Sequence, residues 1–570
     1  MDTIKSFKGY GKVDEAEQRA FQKKVRTRIV LISISAVVLL AVIIAAVAGA
    51  LIHLRNSSSS SSLSSPSSVL SPAQSLKAVC SVTLYPTTCF SSLAPLSNGT
   101  TSDPKTLFSL SLQVAMDSVS NLPSLLPKTP NDAVVAKALS DCTELFDDAM
   151  DRLRDSLSSD SLSSRRIDDL KTWLSTVLTD HETCLDGLSE INGTVAMVDE
   201  LRRKMKNSTE LVSNSLAIAT KVVGILGNVK IPRIHRRLLG FPEWVGAAER
   251  RLLQDGTEAE TPDAVVAADG SGDFKTIGEA VQAAAKKSEK RYVIYVKTGV
   301  YEENVVISKN VWNVMMYGDG MDKSVVSGNL NFVDGTPTFS TATVAVAGRG
   351  FIAKDMGFKN TAGAEKHQAV AFRSGSDRSI FYRCFFDGYQ DTLYAHSNRQ
   401  FYRECTITGT IDFIFGNAAV VFQKCNIQPR QPMPKQFNTI TAQGKKDPNQ
   451  NTGTSIQKCT ISALGQVTAP TYLGRPWHQF ATTVIMQSEI GPVLHPLGWI
   501  GWVNGVEPPS TIFYAEYQNT GPGADVTNRV KWAGYKPTIS ADEASKYTVG
   551  SLISGNDWLA DSNVAFEATL

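Results

Sequence analysis

Two aspartates ask for a chemical explanation: Asp391 in "DGYQDTLYAH" and Asp412 in "TGTIDFIFGN". Asp412 stands among Ile411, Phe413, Ile414 and Phe415, a run that reads as a buried strand. A lone buried carboxylate is costly unless something compensates it. The step from Asp391 to Asp412 is 21 residues, and that from Gln368 to Asp391 is 23. In a chain wound into coils of that length, the two carboxyl groups stack on one face, roughly 5 Å apart. Carboxyls so close cannot both ionise readily, so one keeps its proton and the pair divides into an acid and a nucleophile or base. That separation suits a nucleophile beside an acid better than two groups spanning a water. His367, His396, His478 and His495 show no paired ligand spacing and read as structural.

The elements that must position this pair are legible in a repeat. "FYRCFF" at Phe381, "FYRECTI" at Phe401, "VFQKCNI" at Val421 and "IQKCTI" at Ile456 share one theme, and Cys384, Cys405 and Cys425 follow at steps of 21 and 20 residues. A period of about 20 to 25 residues is that of a solenoid whose coils stack short parallel strands. An antiparallel β-sandwich with accidental similarity is the competing reading. The longer step to Cys459 predicts an inserted loop at "QPRQPMPKQ". Stacked cysteines one coil apart predict a Cys405–Cys425 disulfide.

Before this region the patterning is helical. Ala136, Leu139, Cys142, Leu145, Phe146, Ala149 and Leu153 form one apolar stripe, and Ile167, Leu170, Trp173, Leu174, Val177, Leu178, His181, Cys184 and Leu188 form another. With "LFSLSLQVAMDSV" before and "LVSNSLAIATKVVGIL" after, four helices predict an antiparallel bundle. Cys142 and Cys184 sit on the two apolar stripes, where packed neighbouring helices could join them, and Cys80 and Cys89 are close enough to close a local hairpin. His181 reads as a core or rim histidine.

The N-terminus is basic over residues 1–28 and then apolar from Ile29 to Ile52. A stretch that long spans a bilayer, and the positive flank keeps the N-terminus cytoplasmic, so a signal anchor is expected. A long signal peptide cut near "AVAGA" would lead to the same secretory destination. Residues 53–75 read as a Ser-rich stalk, 76–230 as the bundle, 231–260 as a linker and 261–570 as the solenoid. Sequons at Asn56, Asn98, Asn192 and Asn207 agree with that destination. The linker repeats one tetrapeptide: Arg236, Arg237, Leu238, Leu239 and again Arg250, Arg251, Leu252, Leu253. Repetition within a Gly, Pro and charge-rich connector predicts accessible protease sites. A net charge of +2 without a long basic face speaks against nucleic acid.

"DGYQDTLYAH", "TGTIDFIFGNAAVVFQ", "YLGRPW" and "ADGSGDFKTIGEAV" closely resemble plant pectin methylesterases across residues 261–570. The bundle resembles the pectin methylesterase inhibitor domain carried as a pro-region by larger members. The resemblance implies an all-β, right-handed parallel β-helix that hydrolyses the methyl esters of homogalacturonan in the plant cell wall. It implies Asp412 as nucleophile, Asp391 as general acid and then base, Gln390 as oxyanion stabiliser and Arg475 as the group that holds Asp412 ionised. Thr338, Gln368, Arg475 and Trp477 would line the substrate cleft. No metal or cofactor is implied. The implied partners are pectin, a subtilisin-like protease acting at the RRLL sites and separate proteinaceous inhibitors, with a Golgi-membrane pro-form and a mature enzyme in the apoplast. The bundle would inhibit until cleaved. Two other readings compete: a pectate lyase or polygalacturonase, which need a Ca²⁺-binding carboxylate cluster or carboxylates across a glycosidic bond, and a catalytically silent pectin binder whose bundle is the working part.

Overall fold

The computed structural model describes residues 71–97, 103–127, 132–158, 164–223, 261–503 and 505–570. The expected anchor at 29–52, the sequons at Asn56 and Asn98 and both RRLL sites lie outside the described residues. Among the described residues no helix is long and apolar enough to cross a membrane.

Among the described residues, six α-helices make up the N-terminal part: α1 Pro72–Ser81, α2 Pro86–Leu93, α3 Pro104–Ser120, α4 Ala133–Leu157, α5 Ser164–Ser189 and α6 Val195–Ile218. The last four are the long ones. Composition places residues 72–75 in the stalk, but they form the first turn of α1, where Ser71 caps the helix, Gln74 completes a capping box and Pro72 opens it. Asp103 and Asp132 cap α3 and α4 through their carboxylates. The fourth long helix begins well before the apolar run at Leu211, because Val198, Leu201 and Met205 continue its buried stripe. Cys80–Cys89 closes the α1–α2 hairpin and Cys142–Cys184 ties α4 to α5, both as the spacing indicates. His181 is buried against the edge of Phe146, and burial pushes its imidazole down to about 4.

From Ala264 onward the chain winds through three parallel sheets of 11, 7 and 8 strands, and each full coil adds one strand to each sheet. This is the parallel β-helix, and the sandwich alternative falls because every strand pairing is parallel. Register explains the repeat: Phe381 pairs with Tyr402 and Tyr402 with Phe422, and their rings stack inside the coil at 4.4 and 4.6 Å between centroids. The corner between the first and third sheets is one left-handed residue in successive coils: Asp355, Arg383, Glu404, Lys424 and Lys458, with φ between +51° and +54°. The residue after each corner points inward, which places Met356, Cys384, Cys405, Cys425 and Cys459 in one buried column.

Cys405 and Cys425 are free thiols, not the expected disulfide. Stacked side chains stand about 4.8 Å apart, beyond the roughly 3.5–4.5 Å between Cβ atoms that a disulfide requires. Each thiol instead donates to a carbonyl of the preceding coil, Cys405 to Phe381 at 3.4 Å and Cys425 to Tyr402 at 3.5 Å. The insertion before Cys459 is split in two: residues 430–437 precede the strand Asn438–Gln443, and residues 444–452 follow it.

The bundle packs on the outer face of the 7-stranded sheet. Phe339, Ala342, Ala345, Val370, Tyr394, Phe415 and Ala442 of that face belong to the same apolar core as the helices.

Candidate active site

Asp391 and Asp412 occupy equivalent corners at the entrance to the 7-stranded sheet. Leu393 pairs with Ile414, two residues beyond each aspartate, so the carboxyls lie one coil apart. Both corners are left-handed, φ +64° and +52°, a conformation that Asp tolerates better than most residues. The backbone there is held by Asp391 N–H donating to the Ile411 carbonyl at 3.0 Å and Asp412 N–H donating to Thr439 Oγ1 at 2.9 Å. The two side chains are 8% and 4% exposed, so each needs a reason to be there.

For Asp412 the reason is Arg475, the residue after the strand Thr471–Gly474. Its Nε donates to Oδ1 at 2.9 Å and its Nη2 to Oδ2 at 2.5 Å, while the Thr439 hydroxyl donates to Oδ1 at 2.6 Å. A two-pronged, charge-assisted grip of this kind fixes the carboxylate in place and in angle. Arg475 is itself raised: burial pulls the guanidinium down, but Asp412 outweighs it. Asp391 has no such grip. Burial pushes its carboxyl well above the usual range, the charges of Asp412 and Glu190 push it further, and Arg475 only partly offsets them. The pair is therefore unequal: Asp412 is gripped, and Asp391 is pushed toward its protonated form.

Gln390 and Gln368 pair across neighbouring coils, and both open onto a cavity of about 530 Å³ with Asp391, Asp412, Arg475 and Trp477. Trp477 stacks near Trp502, ring centroids 6.2 Å apart, and lies against Gly444, where a Cβ would come within 2.9 Å of the indole. The guanidinium of Arg475 sits 4.2 Å over the Trp502 ring. Thr338 is the exception among the expected cleft residues. It is buried, and its hydroxyl donates at 2.7 Å to Glu190, which follows α5.

Thr439, Phe415, Trp502 and Glu190 were not singled out from sequence. Thr439 stands 27 residues after Asp412, a stretched coil whose insertion hides the repeat. Phe415, three residues past Asp412, stacks on Tyr394 at 4.1 Å between ring centroids. His478 meets Asp186 at 2.9 Å, and Lys446 pairs with Glu182, so these interface groups have partners across the two parts of the chain. Glu182, Asp186 and His478 each place a ligand-type atom within 4.8 Å of the others. His396 is buried with Thr183 at 3.0 Å, a structural role.

The family model described as Pectinesterase matches residues 263–556. The chain belongs to the pectinesterase family. A second model, Plant invertase/pectin methylesterase inhibitor, matches residues 74–218, so an inhibitor-like helical domain precedes the pectinesterase domain. "Pectinesterase 3" of Phaseolus vulgaris is 63% identical over 581 residues, covering all of both chains. "Pectinesterase 1" of Arabidopsis thaliana is 56% identical, covering 99% of each. Among solved structures, "Pectin methylesterase from Carrot" is 51% identical with a TM-score of 0.54, covering 55% of this chain and 100% of its own. The pectinesterase domain has a hydrophobic core of its own, drawn entirely from residues 264–535, and the carrot chain is matched over its full length by 55% of this chain.

Proposed function

We propose that the protein removes methyl esters from cell-wall pectin, with Asp412 as nucleophile and Asp391 as acid and then base. The observation that carries the reading is the asymmetry of the stacked pair: Asp412 is gripped by Arg475 and Thr439, and Asp391 is pushed up by burial and by Asp412. In the first step an Asp412 oxygen attacks the ester carbonyl carbon, and the carbonyl electrons move onto oxygen, where the Gln390 amide donates a hydrogen bond. The tetrahedral intermediate collapses to an anhydride as the C–O bond to the methoxy group breaks and Asp391 gives that oxygen its proton, releasing methanol. Asp391, now a carboxylate, takes a proton from the water that opens the anhydride. The products are a free galacturonate carboxylate and regenerated Asp412. Trp477 and Trp502 offer flat apolar faces for sugar rings, and Gln368 lines the same cavity.

The intact chain is the inactive form in this reading. Supporting it, the helical domain covers the catalytic sheet and Glu190 takes the hydroxyl of Thr338. Cleavage at Arg236–Leu239 or Arg250–Leu253 by a subtilisin-like protease would free the enzyme, with the segment at 29–52 holding the pro-form in the secretory membrane and the enzyme ending in the wall. Asn192 and Asn207, both exposed on the helical domain, would carry glycans. The test is methanol release from methylated homogalacturonan with chain length followed alongside. Methanol without shortening supports the esterase; shortened chains would instead indicate a lyase or glycosidase.

A further inference from the structure

The catalytic groups enter the strands of the 7-stranded sheet, and a row of cations leaves them on the opposite margin. Lys309 follows the strand Val305–Ile307, Arg378 follows Phe372–Ser374, Arg399 follows Leu393–Ala395, and Lys446 follows Asn438–Gln443. Sheet order puts Lys309 and Lys446 five strands apart, about 24 Å at roughly 4.8 Å per coil. The row thus runs along the solenoid axis, beside the catalytic row and one short strand away from it.

Every member of this row meets a carboxylate of the helical domain. Lys309 lies 2.6 Å from both Asp147 and Asp151, Arg378 lies 2.8 Å from Asp169, Arg399 lies 2.7 Å from Asp169, and Lys446 pairs with Glu182. Arg399 also pairs with Asp377 of its own domain at 2.6 Å. Among the described residues, the ion pairs of Lys309, Arg378 and Lys446 all go to the helical domain. Removal of that domain takes away the carboxylates that ion-pair with these three cations, on a face that handles a polymer, and leaves Arg378 only the more distant charge of Asp377. Single exposed pairs are weak, so a row of them suits a ligand that engages several at once.

We propose that this ridge binds stretches of galacturonan whose carboxylates are already free, and that the acidic residues of the helical domain occupy the same cations in the intact chain. The inference rests on the substrate being methylated galacturonan. A methyl ester carries no charge, so the ridge discriminates product from substrate. A demethylated stretch held there keeps the neighbouring esters close to Asp412, which favours successive turnovers on one chain.

The experiment uses residues 261–570 and measures retention on immobilised polygalacturonate, with methanol release from fully methylated homogalacturonan measured separately. Lys309→Gln with Arg378→Gln should lower affinity for polygalacturonate at least tenfold and elute at lower salt, with kcat on the fully methylated polymer within twofold of the parent. Lys309→Arg with Arg378→Lys should restore retention, and Lys309→Gln alone should show a partial loss if the double variant folds poorly. The intact chain should be retained weakly, its ridge being covered. Parent-level retention by the double variant, equal retention of the intact chain, or failure of the charge-preserving variant to bind would overturn the proposal. Because retention is read without turnover, a wild-type domain that binds but releases no methanol would count against the esterase reading and not against the ridge.

Discussion

At the scale of residues, two stacked carboxyls are made unequal by their surroundings. The pairing was legible in a 21-residue step, and Arg475 in "YLGRPW" only through resemblance. Thr439 was not legible, because an insertion lengthens its coil. Gln390→Ala removes one oxyanion donor, which predicts a fall in kcat of about 10²–10³ with little change in KM; a fall confined to KM would show that Gln390 only binds substrate. Asp391 must hold a proton for methanol to leave, so the rate of the first step falls as pH rises through its raised pKa. Glu190 is among the groups that raise it. Asp391 in residues 261–570 should therefore titrate lower than in the intact chain, as followed by the basic limb of single-turnover methanol release in the free domain and by direct titration of the carboxyl in both forms.

At the scale of elements, periodicity revealed the coils and the long helices, but not where they begin or how their corners turn. The start of α6 was missed because its first half, "VAMVDELRRKMKN", shows its apolar stripe only at Val198, Leu201 and Met205 among charges. The cysteine column was read as a disulfide because its spacing matched one coil, whereas the corner geometry stacks the side chains in parallel and leaves them as thiols. Two consequences can be measured on residues 261–570. Cys405→Ala, which opens a small gap in a close-packed column, should cost about 1–2 kcal/mol in thermal or denaturant unfolding, and added reductant should leave the parent's Tm unchanged. A Tm that drops with reductant would show that Cys405 and Cys425 are joined after all.

At the scale of the whole molecule, an inhibitor-like domain lies on a catalytic face and places Glu190 in the cleft. Glu190 faces Asp186 and Asp141 of its own domain and Thr338 and Asp391 of the other. Burial pushes its carboxyl up to about 7 and that of Asp141 up to about 6. The docked form therefore binds protons that the released form gives up, so this contribution is complete below the ordinary Glu range and is lost as pH rises towards 7, a span on the order of 3 kcal/mol for Glu190. His396, pushed down to about 3 by burial, acts in the opposite sense below roughly 6.5. Comparing Glu190→Gln with the parent isolates the Glu190 part: after cleavage of the linker, inhibition by the helical domain should weaken less steeply between about pH 4.5 and 7 in the variant than in the parent, the remainder belonging to Asp141 and His396, and identical pH profiles would refute this role. The division into two parts was legible from the change of period, but the contacts between them were not, since nothing in either pattern says which faces meet. Whether Asp412 is the nucleophile of a pectin methylesterase is decided by methanol release from methylated homogalacturonan by residues 261–570. The wild-type domain should release one methanol for each new carboxylate without shortening the polymer, and Asp412→Asn, folded to the same Tm within a few degrees, should fall to background. Wild-type turnover by Asp412→Asn would contradict the account.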